Sequence, residues 1–191
     1  MHIFENLGVI IGAALVFVIN KLYEWVVKNN TSFKFKRQLN KETRINDELA
    51  HIRDRFGFNR VSLIDYHNGT ESLGGFSFKN SSMRYEKLDV KTSSIIKDYQ
   101  NIPTSIQCEF LDKLEHSKNG FEITDDLGND ETSINNKMFG IVQSYNFRIG
   151  NSLINGSLSL QSTSETIDLT CDEINEIKAI CQKILLIRKK K

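Results

Sequence analysis

The stretch at residues 7–27, LGVIIGAALVFVINKLYEWVV, constrains this chain more than any other part of it. Its core, residues 7–19, carries neither a charge nor a hydrogen-bonding side chain. A membrane span needs roughly 20 mostly apolar residues and tolerates about 17; residues 7–23 meet that lower bound. Lys21 can send its ammonium to the headgroups, while Tyr23 and Trp25 suit the interfacial aromatic belt and Lys28 follows as a basic flank. A cleaved signal peptide would put positive charge before the run and small residues after it. Here Glu5 precedes it and Tyr23, Trp25, Val26 and Val27 follow, so the expectation is an uncleaved single-pass anchor.

Orientation follows from charge. Lys21, Lys28, Lys34, Lys36, Arg37 and Lys41 all lie after the run. The excess of Lys and Arg marks the cytoplasmic side. The expected arrangement is a short non-cytoplasmic segment at residues 1–6, a transmembrane helix at 7–27, a basic connector at 28–37 and a cytoplasmic domain at 38–191. Localisation would be the inner membrane. Gly8 and Gly12 make a GxxxG pattern, the spacing at which small residues let two membrane helices approach, so a homodimer through the anchor is one expectation and a lipid-facing span the other.

About 150 residues remain beyond the connector, the size of one domain. With 25 Lys+Arg against 24 Asp+Glu, the formal charge of +1 argues against a nucleic-acid surface. Cys108, Cys171 and Cys181 show no metal-ligand spacing, and an odd number suits a reducing compartment.

Along the domain, Ile45, Leu49, Ile52 and Phe56 form one helical stripe closed by Gly57. Residues 60–66 (RVSLIDY) read as a strand covered on both faces, ending at the turn signal Asn68-Gly69, and residues 83–88 as a second extended stretch. A short helix is expected at 91–99, and a capped helix from Thr104 (T-S-I-Q) to His116 after Pro103, the single proline. A strand at 121–124 and a helix at 133–145 follow. Strands at 147–154 and 157–162 would be joined at Asn155-Gly156, a strong hairpin signal. Thr170-Cys171-Asp172-Glu173 is a further capping box, opening the last helix.

This order predicts an α+β fold, an antiparallel sheet with the first and last helices on one face. The segments FGFNRVSLIDYHNG and INGSLSLQSTSETIDLTCDEINEIKAICQKI, spanning residues 56–69 and 154–184, resemble the start and the end of a GAF domain, the sensor fold related to PAS. Between them, HNGTESLGGFSFKNSSMRYE is similar to a divergent GAF-like group found behind membrane anchors in bacteria and their phages. The resemblance spans residues 38–188. It implies a ligand-binding or regulatory module and makes Phe76, Phe78, Met83 and Tyr85 candidates for lining a small-molecule pocket, with ordinary core as the competing reading.

Asp65-Tyr66-His67-Asn68-Gly69 is the most suggestive polar cluster. Asp65 and His67 share a strand face and could bind a ligand or share a proton, but His51 and His116 offer no local help toward a metal site. A hydrogen-bond network securing the Asn68-Gly69 turn outweighs metal or acid–base use. Gly74-Gly75 lacks the setting and the lysine of a phosphate loop, and no GxSxG, HExxH, Walker or CxxC motif occurs. No enzymatic activity, cofactor or metal is expected. The basic tail from Arg188 complements a helix C-terminus and can touch anionic lipid. The functional expectation is a membrane-anchored, non-enzymatic GAF-like module sensing a small molecule or protein partner. The alternative is a phage-encoded or host-membrane interaction protein whose fold holds no ligand.

Overall fold

The computed structural model describes residues 2–68, 79–128 and 130–189, with side chains from residue 15 onward except Lys28. Helix α1 runs unbroken over His2–Phe56. The basic connector at 28–37 does not interrupt it, and the physical reason is composition: no Gly or Pro stands between Gly12 and Gly57. Thr31 and Thr43, poor helix formers, turn their hydroxyls back onto the carbonyls of Val27 and Leu39 at 2.9 and 3.0 Å. Gly57, at φ 76°, ends the helix with its N–H on Arg53 O.

The chain divides into two compact units, residues 1–43 and 44–191. In the first, Leu15, Val16, Phe17, Val18 and Ile19 are all more than half exposed. Five consecutive helical positions point all round the axis, so the apolar surface here has no polar side. Among the described residues no helix is long and apolar enough to cross a membrane. Residues 7–14, the first part of the expected span, and with them Gly8 and Gly12, lie outside those whose side chains are described, as does the Lys28 side chain.

The second unit is built on a six-stranded antiparallel sheet. Its strands are β1 (Arg60–His67), β2 (Asn80–Leu88), β3 (Ile102–Pro103), β4 (Phe121–Asp125), β5 (Gln143–Arg148) and β6 (Ser157–Ser162). They lie in the order β3-β2-β1-β6-β5-β4. Helices α2 (Cys108–His116), α3 (Glu131–Met138) and α4 (Cys171–Lys189) complete the unit.

Alternation sends side chains to two unlike faces. Val61, Leu63, Tyr145, Phe147, Leu158 and Leu160 meet Ile45, Leu49, Ile52 and Phe56 of α1 and Ile177, Ile180, Cys181, Ile184 and Ile187 of α4 in one core. The first and last helices therefore share a sheet face. The α1 stripe is consumed by the domain's own core.

The opposite face is polar yet buried: Arg60, Ser62, Ser144, Asn146, Ser157, Ser159 and Gln161 are all below a tenth exposed. Side chains there bond one another. Gln161 donates to Ser159, Asn146 to Ser144, and Asn136 of α3 to Thr124. At its end, Ile64 and Tyr66 pack with Leu114 of α2, Leu153 and partly buried Tyr99, Phe110 and Leu111.

Three helical expectations fail because other hydrogen bonds, some within a local turn and some tertiary, outbid helix periodicity. Residues 91–99 form turns rather than a helix, because Asp89 accepts from Lys91 N and Thr92 N and Glu86 from Ile95 N. Thr104 forms no capping box. Its segment is a 3₁₀ turn, Thr104–Gln107, and Gln107 donates instead to Tyr99 Oη. The helix expected at 133–145 stops at Met138, and Gln143–Arg148 pairs between β4 and β6. Asn155-Gly156 is no two-residue hairpin but the end of a longer connection with its own 3₁₀ turn, Leu153–Asn155. The capping box at α4 does form, with Thr170 N on Glu173 Oε2 at 2.8 Å and Glu173 N on Thr170 Oγ1 at 3.3 Å.

Candidate functional site

The register of β1 on β2 shifts between Leu63 and Ile64, leaving Arg84 as an extra, exposed residue on β2. Such a bulge bends its strand and re-aims the side chains beyond it. Beyond it lies a cavity of about 720 Å³ at the end of the two strands. Asp65, Tyr66 and His67 enter its wall from β1, and Ser82, Met83 and Arg84 from β2. Gln100, Asn101, Ile154 and Arg188 close it.

The charged side of the wall is an ion pair between chain positions far apart. Arg188, in the last turn of α4, places Nη2 2.7 Å from Asp65 Oδ1 and donates through Nη1 to Asn155 O, also at 2.7 Å. Gly156 makes this approach possible. At φ 94°, a Cβ there would stand 2.6 Å from Ile64 O, 3.0 Å from Arg188 Nη1 and 3.2 Å from Asp65 Oδ1.

Beside the pair, His67 Nε2 bonds Ser82 Oγ at 2.8 Å, and Ser82 Oγ also accepts from Asn101 N. Asn101 sits at φ 55°, the sole non-glycine residue with positive φ among those described. Asn tolerates that region better than most residues, but it still stores strain. Gln100 braces the rim by donating to Met83 O and Ile96 O. Tyr66 bonds Ser157 Oγ at 2.8 Å, and burial pushes its phenol pKa well up, so it stays a neutral hydrogen-bonding group.

The structure thus brings Asp65, His67 and Met83 together. Asp65 holds the end of α4; the expected Asn68-Gly69 turn lies partly outside the described residues. Asn68 accepts from Lys79 N at 3.0 Å and does not line the cavity. Tyr85 packs against the apolar core on the other face, opposite Leu63. Phe76 and Phe78 lie outside the described residues. Sequence reasoning missed Arg188, Ser82, Gln100 and Asn101. Arg188 read as a helix-end charge, and nothing local signals a partner 123 positions away.

Among the described residues no group of three His, Cys, Asp or Glu could hold a metal. A second groove, of about 700 Å³ between α2, α3 and β4, is lined partly by carboxylates with structural duties. Asp130 caps α3 through Thr132 N and Ser133 N, and Glu109 pairs with Lys113.

No family model and no curated protein matches this chain. Solved structures do. The GAF domain of PixJ from Thermosynechococcus elongatus, in its blue-light-absorbing form, superposes with a TM-score of 0.58 at 12% identity, over 79% of this chain and 86% of that one. The phycocyanobilin-bound GAF domain of a cyanobacterial phytochrome gives 0.61 at 14% identity, over 81% and 87%. A far-red cyanobacteriochrome photoreceptor gives 0.58 at 14% identity, over 88% and 97%. At such identities the likeness speaks for architecture alone, and it agrees with the six-stranded antiparallel sheet and its helices. This chain has a GAF-like fold.

Proposed function

We propose that this chain is a non-enzymatic sensory module that binds a small molecule in the cavity at the end of β1 and β2. The observation that carries this reading is the cavity wall. It gathers an ion pair, a histidine, a carboxamide at a strained φ and a buried methionine in about 720 Å³, within the usual range of ligand sites. Convergent polar groups in a concavity are what orientation of a small ligand requires. The neighbouring structure holding phycocyanobilin supports a small-molecule role for the fold; the ligand class here is set by this chain's own side chains. Arg188 links the wall to the last turn of α4, which gives binding a route out of the domain.

The same module is held at the cytoplasmic face of a membrane by its N-terminal run. Support comes from the all-round apolar surface at residues 15–19, which water alone would leave uncovered, and from the basic residues that follow. The full chain should resist carbonate extraction from membranes and require detergent. Release by carbonate would overturn the anchor while leaving the cavity reading intact. For the cavity, a metabolite panel should yield at least one compound that raises the melting midpoint of the full chain and loses that effect in His67→Gln.

A second reading, an interaction protein that holds no ligand, is favoured by Ile123, Leu127, Ile134 and Met138, all about half exposed or more around β4 and α3. It predicts that no compound protects the fold.

A further inference from the structure

We propose that a further cavity of this domain, between the turn before β4, the end of β5 and the middle of α4, binds a small oxyanion of the phosphate class. The proposal goes beyond the small-molecule reading above. This cavity shares no lining residue with the one at the end of β1 and β2, so each can fail without the other.

The cavity measures about 310 Å³, ample for a phosphate group. Three cationic side chains reach it from three elements: Lys118 from the turn before β4, Arg148 from the last position of β5 and Lys178 from α4. No carboxylate lines it, and among the described residues none of the three forms an ion pair. Carboxylates close to them along the chain have other duties. Glu115 accepts from Leu153 N at 2.7 Å, Glu122 lines the groove between α2, α3 and β4, Glu173 caps α4, and Glu176 lies 3.7 Å from Arg55. Like charges around one concavity without a counter-charge raise its potential, and an entering anion relieves their repulsion.

The state of each cation selects the anion. Arg148 spends Nη1 on carbonyls at the end of α2, Glu115 O and, at 3.5 Å, Leu114 O, and its Nε is buried without a hydrogen-bond partner. With Nη1 taken and Nε inaccessible, no two-pronged fork is left for a planar carboxylate. Arg148 then acts as a fixed positive point, and the ammonium groups of Lys118 and Lys178 are points by nature. Three points around a small volume match a compact, multiply charged tetrahedral anion. The Phe121 ring, its centroid 5.5 Å from Lys178 Nζ, steadies one of them. Gly120, Gly150 and Ala179 add no bulk to the wall.

Occupancy has a mechanical consequence, because the three cations belong to separate elements. An anion bonded to all of them clamps the middle of α4 to the turn before β4 and to the end of β5. Without it, the same charges push those elements apart.

The test uses the full chain in neutral detergent, with inorganic phosphate as the probe and chloride at equal ionic strength as the control. Binding is read by NMR signals of the Lys118, Arg148 and Lys178 side chains and by thermal midpoint. Saturable shifts of all three with phosphate, and none with chloride, are expected. Lys118→Gln combined with Lys178→Gln, read at Arg148, should weaken binding at least about tenfold, the size of one lost charge-assisted bond. Lys178→Arg, which keeps the charge and the ring contact, should retain it. A midpoint that climbs without saturating, equally in wild type and the double variant, is general exclusion of salt from the protein surface and would sink the proposal. His67→Gln should bind phosphate as wild type does; an affinity that falls with it would move the anion to the cavity at β1 and β2 and overturn this site. Nanodiscs of neutral lipid with and without phosphatidic acid tell the sources apart. Shifts that need the acidic lipid assign the anion to a headgroup, shifts with soluble phosphate assign it to a free phosphate compound, and shifts with neither overturn the site.

Discussion

The two faces of the sheet are buried to nearly the same degree and held by different forces. On one, Leu49, Ile52, Leu63, Phe147, Leu158 and Ile177 are inaccessible to solvent and bind by area, without direction. On the other, Arg60, Asn146, Ser159 and Gln161 are almost as buried, and each finds partners of the right geometry. The difference teaches what each face is for. An apolar face tolerates small rearrangement and supplies stability. A polar face tolerates little, and it fixes the positions of the connections that cross it, including those that frame the cavity. Arg60 illustrates this: Nη1 donates to Gln161 Oε1 at 2.9 Å, Nη2 to Ser93 O at 2.8 Å, and Nε lies 3.1 Å from Glu86 Oε1. Burial pulls its pKa down, and Glu86 opposes that shift.

If this account holds, the largest single loss should come from the polar face. Glu86→Ala would strand the Arg60 charge and free the backbone N–H of Ile95. A cost of about 3–5 kcal/mol is expected from denaturant unfolding. A cost near that of a surface pair would mean that water reaches Arg60 and the two faces differ less than they seem to.

Next in size is the apolar face. Ile52→Ala removes a fully buried side chain between α1, α4 and the sheet, and should cost about 2–5 kcal/mol with the fold retained. The contrast predicted is in kind as well as degree. Ile52→Val should restore most of the loss, whereas Glu86→Gln, lacking the charge, should restore little of its own.

Ser62 sharpens the comparison at a smaller scale. Its hydroxyl is buried and hydrogen-bonds to no protein atom. Ser62→Ala should therefore be neutral or stabilising, within about 1 kcal/mol. A clear destabilisation would show that the polar face depends on every hydroxyl it holds.

The smallest effect is a titration. Side-chain hydrogen bonds from Thr92 and Asn59, with the N–H groups of Lys91 and Thr92, hold the Asp89 carboxyl down to about 2 from an ordinary 3.8. A depressed carboxylate stabilises the fold above its ordinary pKa, and that contribution fades as the pH falls through the folded value. The turn that carries Ser93 to Arg60 should thus persist at pH 4 and loosen toward pH ~2. Carboxyl NMR of Asp89 in wild type and Asn59→Ala checks it: the variant should titrate higher, and equal midpoints would remove Asn59 from the account.

Where a signal is local, the sequence carried it. The stripe Ile45, Leu49, Ile52 and Phe56 announces a buried helix face by spacing alone, Gly57 its end, and Thr170 with Glu173 the start of α4, because three or four residues suffice to make those contacts. The GAF-like fold was legible for the same reason, in the two segments that begin and close it. What tertiary structure alone decided are the contacts that close over long chain distances. The alternation Ser157-Leu158-Ser159-Leu160 reads as a half-solvated strand, yet both faces are buried once β5 and β1 flank it and other segments cover it. Residues 91–99 and 139–145 have helical spacing, yet Glu86 and the β5 ladder offer their backbones better partners. Asp65 stands beside an Asn-Gly turn signal, and its partner Arg188 comes from the far end of the chain. Period encodes which side of an element is apolar; which partner a polar group finds depends on the folded arrangement of every other element, and no window along the chain contains that.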